Sequence, residues 1–185
     1  MARAVCGQGE LRRKVRAALW LASPLMLLGA CWLAGLRVNL TTSMPIGLYI
    51  VTHRPVTRGS MVLACLPSAV AAFARERGYV PHGHACSGGT APVGKLVLAV
   101  PGDTVAVSRS GLSLNGVPVP RSRPLPRDTR GRPLPRLEAG TQIVGVDTLW
   151  LVSRSAIGFD SRYFGPIHAS SVLCVIRSLW TPTLR

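Results

Sequence analysis

The sequence predicts a mostly β, antiparallel, barrel-like domain behind a single N-terminal transmembrane helix. Three observations predict it. Residues 17–36 form a charge-free apolar run, a series of short strand-like segments separated by turns follows, and one short segment at 69–77 has helix-forming composition. The 185 residues suffice for one soluble domain plus a short extra element.

The run at 17–36 holds twenty consecutive uncharged positions, long enough to cross a bilayer as a helix, with Pro24 tolerated in its first third. Arg12, Arg13, Lys14 and Arg16 precede it, so the positive-inside rule puts residues 1–16 in the cytoplasm as a basic tail and residues 37–185 outside. A cleaved signal peptide would have a shorter apolar core and a small-residue exit site. Leu28-Gly29-Ala30-Cys31 resembles a lipoprotein cleavage box, but residues 32–36 continue the apolar run past it.

Beyond the helix, residues 47–52 and 60–66 read as short β-rich runs, the second ended by Pro67. Residues 69–77 read as a helix closed by Gly78, and 81–92 as a loop rich in Gly, His and Ser. Residues 95–100 form a strand ending in the Pro101-Gly102-Asp103 turn, with Asp103 capping it. Residues 105–119 read as a hairpin about Asn115-Gly116. Residues 120–136, rich in Pro and Arg, read as an exposed loop or an arm across the domain, its arginines solvated or near lipid headgroups. Apolar strands at 148–153 and 171–176 bracket a turn region at 158–166.

The formal charge is +15, yet aromatics make up 5% of the chain and no basic run is interleaved with them. Such a surface suits anionic membrane lipid rather than nucleic acid. No repeat and no phosphate-cradling P-loop is present, and nothing calls for a cofactor. In an oxidising space outside the membrane, Cys65 and Cys86 are the candidate disulfide. His82, His84 and Cys86, with Cys65, have the ligand types for zinc, but their spacing matches no common structural site, so no metal is expected. Cys174, on an apolar strand, reads as a small buried hydrophobe.

Of the 22 basic residues only Lys14 and Lys95 are lysines, and only Lys95 lies beyond the apolar run. Arg stays protonated at any working pH, whereas a desolvated Lys can lose its proton and act as a base. Strand alternation puts Lys95, Val97 and Ala99 on one face and Leu96, Leu98 and Val100 on the other, so either face is apolar and dry. Spacing alone leaves equally open a strand-end lysine snorkelling to water. A serine hydroxyl becomes a nucleophile when a base takes its proton, and Ser43, just past the apolar run and before Met44-Pro45, is the natural partner. Alone, Ser43 would read as an ordinary turn serine.

Three motifs change the balance. The run Ser43 to Tyr49 (SMPIGLY) resembles the nucleophile motif of the type I signal peptidase superfamily. Gly94 to Asp103 (GKLVLAVPGD) resembles its lysine motif, and Gly158 to Pro166 (GFDSRYFGP) its Asp-Ser-Arg box. Within that superfamily the Thr41-x-Ser43-x-Pro45-x-Gly47-Leu48-Tyr49 form, the short length, the single anchor and the Cys65 to Cys86-Ser87-Gly88-Gly89 segment resemble the conjugative-transfer, TraF-type branch. The resemblance implies a membrane-anchored serine endopeptidase of the bacterial periplasm, with Ser43 as nucleophile and Lys95 as general base. The Ser43 backbone N–H and the Thr41 hydroxyl would stabilise the oxyanion. Asp160, Ser161 and Arg162 would support the site, Asp160 pairing with Arg162.

It further implies a pilin precursor of a plasmid conjugation system as substrate, cleaved through an acyl-enzyme and in some members cyclised, with other transfer-apparatus proteins nearby. The chain departs from the superfamily at Gly158, where relatives carry a serine that hydrogen-bonds the lysine amine. Ser155, Ser161 or a water would then orient Lys95. Two other readings stand beside this one: a general signal peptidase for exported preproteins, and a non-catalytic structural subunit of the transfer channel.

Overall fold

The computed structural model describes residues 13, 14, 16, 20 and 23–182. The chain divides into two units, one ending at Arg37 and one running from Val38, and each is described on its own. In the first, residues 20 and 23–33 of the predicted span are helical; the rest of that span up to residue 22 lies outside the described residues. The helix stops short of the expected Leu36. Residues 34 and 35 turn, Gly35 takes φ 85°, and Leu36 already begins a strand. Among the described residues no helix is long and apolar enough to cross a membrane.

The remainder is mostly β and antiparallel, as expected, arranged as two sheets. The larger contains β1 (Leu36–Asn39), β2 (Gly47–Thr52), β3 (Met61–Ala64), β4 (Val93–Ala99), β9 (Thr148–Val152), β10 (Ile167–His168) and β11 (Val172–Trp180), in the order β1-β2-β11-β3-β4-β9-β10. The smaller contains β5 (Thr104–Ser108), β6 (Gly111–Leu114), β7 (Val117–Pro118) and β8 (Gly140–Ile143), in the order β7-β6-β5-β8. Two short helices, α1 (Ser68–Glu76) and α2 (Ser161–Phe164), complete the fold.

β4 and β9 are central because their apolar side chains serve two cores. Leu98, Ala99, Trp150 and Val152 pack with Val105, Val107 and Leu112 of the smaller sheet. Val97, Leu149 and Leu151 pack with Val62, Ala64, Ile167 and Val175 within the larger one. The β4–β9 register pairs Leu96 with Val152 and Val97 with Leu151, then shifts so that Ala99 meets Trp150. Such a bulge kinks the strand and lets neighbouring residues face different cores, which is why Leu98 is buried as well as Val97 and Ala99.

The predicted segment folds as two successive hairpins: a turn at Arg109 and Ser110, where the Ser108 hydroxyl donates to the Gly111 carbonyl, joins β5 to β6, and the expected one about Asn115-Gly116 joins β6 to β7. Both residues of that pair have positive φ, 50° and 82°, the geometry a two-residue turn needs to match strand twist. Asp103 caps its turn, accepting from the Val100 N–H at 3.0 Å and from Asn115, and pairs with Arg58.

The segment 120–136 lies across the domain as an arm, with its arginines exposed except Arg132. Asp128 accepts from the Tyr79 hydroxyl at 2.5 Å and from Arg132 Nε at 2.7 Å, and Arg132 donates onward to the Arg77 carbonyl. Arg132 also lies over the Tyr79 ring, so a cation expected in water is half-buried instead. Cys65 and Cys86 are joined by a disulfide that closes the segment carrying α1 and Tyr79. Cys174, expected as a buried hydrophobe, is half-buried.

Because the crosslink spans a sequence separation of 21, it restricts the unfolded chain substantially. Replacing both cysteines by alanine should cost about 3 kcal/mol of unfolding free energy, measured by denaturant titration of the non-reduced proteins.

Candidate active site

Lys95 sits in the middle of the larger sheet, facing Val62 of β3 in register and only 4% exposed. One step beyond the Leu96–Val152 pair, the same register brings Ser153 opposite Lys95 on the other side. Directly opposed side chains of an antiparallel pair are within contact distance. Lys95 Nζ lies 2.6 Å from Ser153 Oγ and 2.8 Å from the Phe159 carbonyl oxygen, donating to both. Burial disfavours the ammonium form and lowers the amine pKa from its ordinary 10.5 to about 8; Asp160 opposes that shift and Arg162 adds to it.

Ser43 reaches the same place from the other end of the chain. Together with Thr42, it lines a cavity of about 200 Å³ whose other walls include Lys95, Leu66, Val93, Ile157 and Phe159. The turn that carries Ser43 is fastened from three sides. Asn39 Nδ2 donates to the carbonyls of Thr41, Met44 and Pro45, at 2.9, 3.2 and 3.0 Å. The buried Tyr49 hydroxyl donates to the Pro45 carbonyl at 2.6 Å, and the Arg154 N–H donates to the Ser43 carbonyl at 3.1 Å. Met44 is buried in the domain with Tyr49 and Ile176. A Cβ at Gly94 would lie 2.2 Å from Met44 Cε, so the bare backbone next to Lys95 is what lets the residue after Ser43 seat there.

The third motif forms the wall behind the amine. Asp160 is fully buried, caps α2 by accepting from the Arg162 N–H, and holds the Arg162 guanidinium through both oxygens, at 2.8 Å each. Its Oδ2 also accepts from the Ser153 N–H at 2.7 Å. Arg162 donates to the carbonyls of Ser155, Ala156 and Gly158, tying down the loop between β9 and α2. Ser161 is buried as well, its hydroxyl accepting from the Leu151 N–H at 2.9 Å. The Phe159 ring packs among Phe73, Tyr79, Tyr163 and Phe164, which orients its carbonyl toward the amine.

The structure therefore brings Ser43 and Lys95 to one cavity, and Asp160, Ser161 and Arg162 behind it. Thr41 is placed differently. It is exposed, its hydroxyl donates to Asn39 Oδ1 at 2.7 Å, and Thr42 takes the place beside Ser43 in the cavity. Neither Ser155 nor Ser161 orients the lysine: Ser153 does the bonding to Nζ, and Ser161 is engaged with β9. Sequence reasoning missed Ser153, Asn39, Thr42 and the arm residues Asp128, Thr129 and Leu134 that line the cavity. No group of three or more metal-ligating side chains occurs among the described residues.

The lowered amine pKa is also a statement about stability. Between about 8 and 10.5 the native state binds fewer protons than the unfolded chain, so Lys95 opposes folding most strongly below that window. Lys95→Met should raise the unfolding free energy at pH 7 by up to about 3 kcal/mol. The gain should shrink as pH rises through 8 toward 10.5, as followed by denaturant unfolding at a series of pH values.

Residues 12–181 match the family described as signal peptidase, peptidase S26. A plasmid transfer protein TraF of Escherichia coli is 42% identical over 159 residues, covering 85% of this chain and 89% of that protein. A conjugal transfer protein TraF of Agrobacterium tumefaciens (strain 15955) is 39% identical over 176 residues, covering 91% and 98%. Among solved structures, a signal peptidase I of Enterococcus faecalis V583 matches at 19% identity with a TM-score of 0.36, over 67% of this chain and 98% of that one. With the family match running over nearly the whole chain, this protein belongs to the signal peptidase family, peptidase S26.

Proposed function

We propose that this protein is a Ser–Lys endopeptidase that processes the pilin precursor of a plasmid conjugation system. The observation that carries the proposal is the buried Lys95 amine, its pKa lowered to about 8, in the same cavity as Ser43. Ser43 Oγ attacks the scissile carbonyl while its proton passes to the neutral Lys95 Nζ. The Ser43 backbone N–H stabilises the oxyanion. Of the two threonines, Thr42 is the better second donor, because it lines the cavity and the Thr41 hydroxyl is spent on Asn39. Collapse of the intermediate breaks the C–N bond, Lys95 returns the proton to the leaving amine, and an ester to Ser43 remains. Water, or the pilin's own terminal amine, then takes the acyl group, giving a hydrolysed or a cyclic product. Asp160 and Arg162 hold the wall that keeps the amine dry.

The relatives named as plasmid and conjugal transfer proteins favour a dedicated substrate over a general preprotein. The apolar run beginning at Ala17, behind its basic tail, anchors the enzyme in the bacterial inner membrane with the catalytic domain in the periplasm. The exposed side chains of Leu25, Met26, Leu27, Leu28, Trp32 and Leu33 are those a lipid environment would cover.

Co-expression with the pilin precursor of the same transfer system, followed by mass spectrometry of the pilin, tests the proposal. Wild type should give a shortened or a ring-closed product; Ser43→Ala and Lys95→Arg should each leave the precursor intact. Processing that survives Ser43→Ala would point to a non-catalytic subunit. With purified components, kcat/KM should rise about tenfold per pH unit on the acid side and level off above a midpoint near 8, the free enzyme's amine. A flat profile across pH 6–9, a range of about three units, would remove Lys95 as base.

A further inference from the structure

We propose that Ser153 is the positioning residue for the Lys95 amine, its hydroxyl occupying a space that Gly158 keeps open. The inference rests on the Ser–Lys reading above and adds what aims the base.

The geometry is a matter of counting directions. A neutral amine has two hydrogens and one lone pair. In this cavity two acceptors face Nζ, Ser153 Oγ at 2.6 Å and the Phe159 carbonyl at 2.8 Å. With both hydrogens committed, the lone pair points away from both acceptors, and the open side of the amine is the cavity that Ser43 lines. A carbonyl alone would leave the amine free to rotate about its last bond, sweeping the lone pair through unproductive directions. The second acceptor removes that freedom.

Ser153 is itself held from two sides. Its N–H donates to Asp160 Oδ2 at 2.7 Å, and Asp160 is locked to Arg162. The same aspartate–arginine pair that fixes the loop behind the amine therefore also fixes the backbone of the serine in front of it. Ser153 follows directly on β9, whose register with β4 places it opposite Lys95.

Gly158 supplies the complementary half. A Cβ built on Gly158 would fall 2.3 Å from both Cβ and Oγ of Ser153, well inside any permitted contact. Positions 153 and 158 thus compete for one space beside the amine, and only one of them can carry a side chain. Here it is 153. The two positions should be exchangeable: a serine at 158, with the side chain at 153 removed, sends a hydroxyl into the same volume from the other side.

The test uses the full chain with its pilin precursor and three variants. Ser153→Ala should lower kcat about 10- to 100-fold, the worth of a hydrogen bond to the ammonium that forms as Lys95 takes the Ser43 proton, with KM changed less than about twofold. Gly158→Ser alone should be impaired by the steric conflict. Ser153→Gly combined with Gly158→Ser should recover most of the lost kcat, which a merely structural role for Ser153 would not produce. A second readout needs no substrate. In protein labelled with ¹⁵N at lysine Nζ, Lys14 and Lys95 are the only lysines, so Ser153→Ala should move the Lys95 signal, leave Lys14 in place, and the double variant should return Lys95 toward its wild-type position.

If the wild type leaves the pilin unprocessed while the Lys95 signal still responds, the peptidase reading fails and the positioning of the amine stands. If processing occurs but neither kcat nor the Lys95 signal responds to Ser153→Ala, the inference is overturned and the peptidase reading stands. An unrescued double variant that folds as the wild type does, by its unfolding midpoint, also overturns it.

Discussion

The site depends on keeping water away from one amine. Lys95 lies between two strands of the larger sheet and is only 4% exposed, and that burial is what brings its pKa down to about 8. The constraint is costly, because every nearby element must be apolar, or polar and already bonded. Val62 and Val93 answer the first requirement; Asp160, Ser161 and Arg162 answer the second, each buried and each hydrogen-bonded. A loose polar group in that wall would draw water in and restore the ammonium.

The same constraint explains how distant segments come to share one cavity. The turn at Ser43 is shaped by Asn39 and Tyr49 and seated by Met44 against bare backbone at Gly94, one residue from the lysine. On the far side, the disulfide and α1 present Phe73 and Tyr79 to the Phe159 ring, and Tyr79 in turn holds Asp128 of the 120–136 arm. A segment that looks like surface decoration thereby becomes a wall: Asp128, Thr129 and Leu134 line the cavity with Ser43 and Lys95.

Much of this was legible from the chain. Lys95 was conspicuous because almost every other basic position is Arg, and the strand pattern around it announced a dry environment on either face. The short strands, the helix α1, the Asp103 turn and the three motifs could be read because they are local: alternation, breakers and spacing act over a few residues. What escaped was tertiary. Ser153 meets Lys95 only through the register of β4 on β9, and nothing in a linear reading says that residues 153 and 158 contend for one volume. The choice between Thr41 and Thr42 turns on which way a tight turn faces, decided by Asn39. The turn at Arg109 and Ser110 escaped because it lies close to Asn115-Gly116, the stronger signal of the two. The helix end moved because Gly35 permits a turn before the apolar pattern runs out.

Membership of the signal peptidase family gives the arrangement its setting, but the physical claim beneath it is simpler: a lysine in this sheet gives up its proton near pH 8 rather than 10.5, so a usable fraction of it is neutral near neutral pH. The most direct measurement is a pH titration of the ¹⁵N-labelled Lys95 side chain in the substrate-free wild-type protein. The account predicts half-protonation near pH 8. Half-protonation at the ordinary value of 10.5 would contradict it, since the amine would then be an ammonium whenever the protein works.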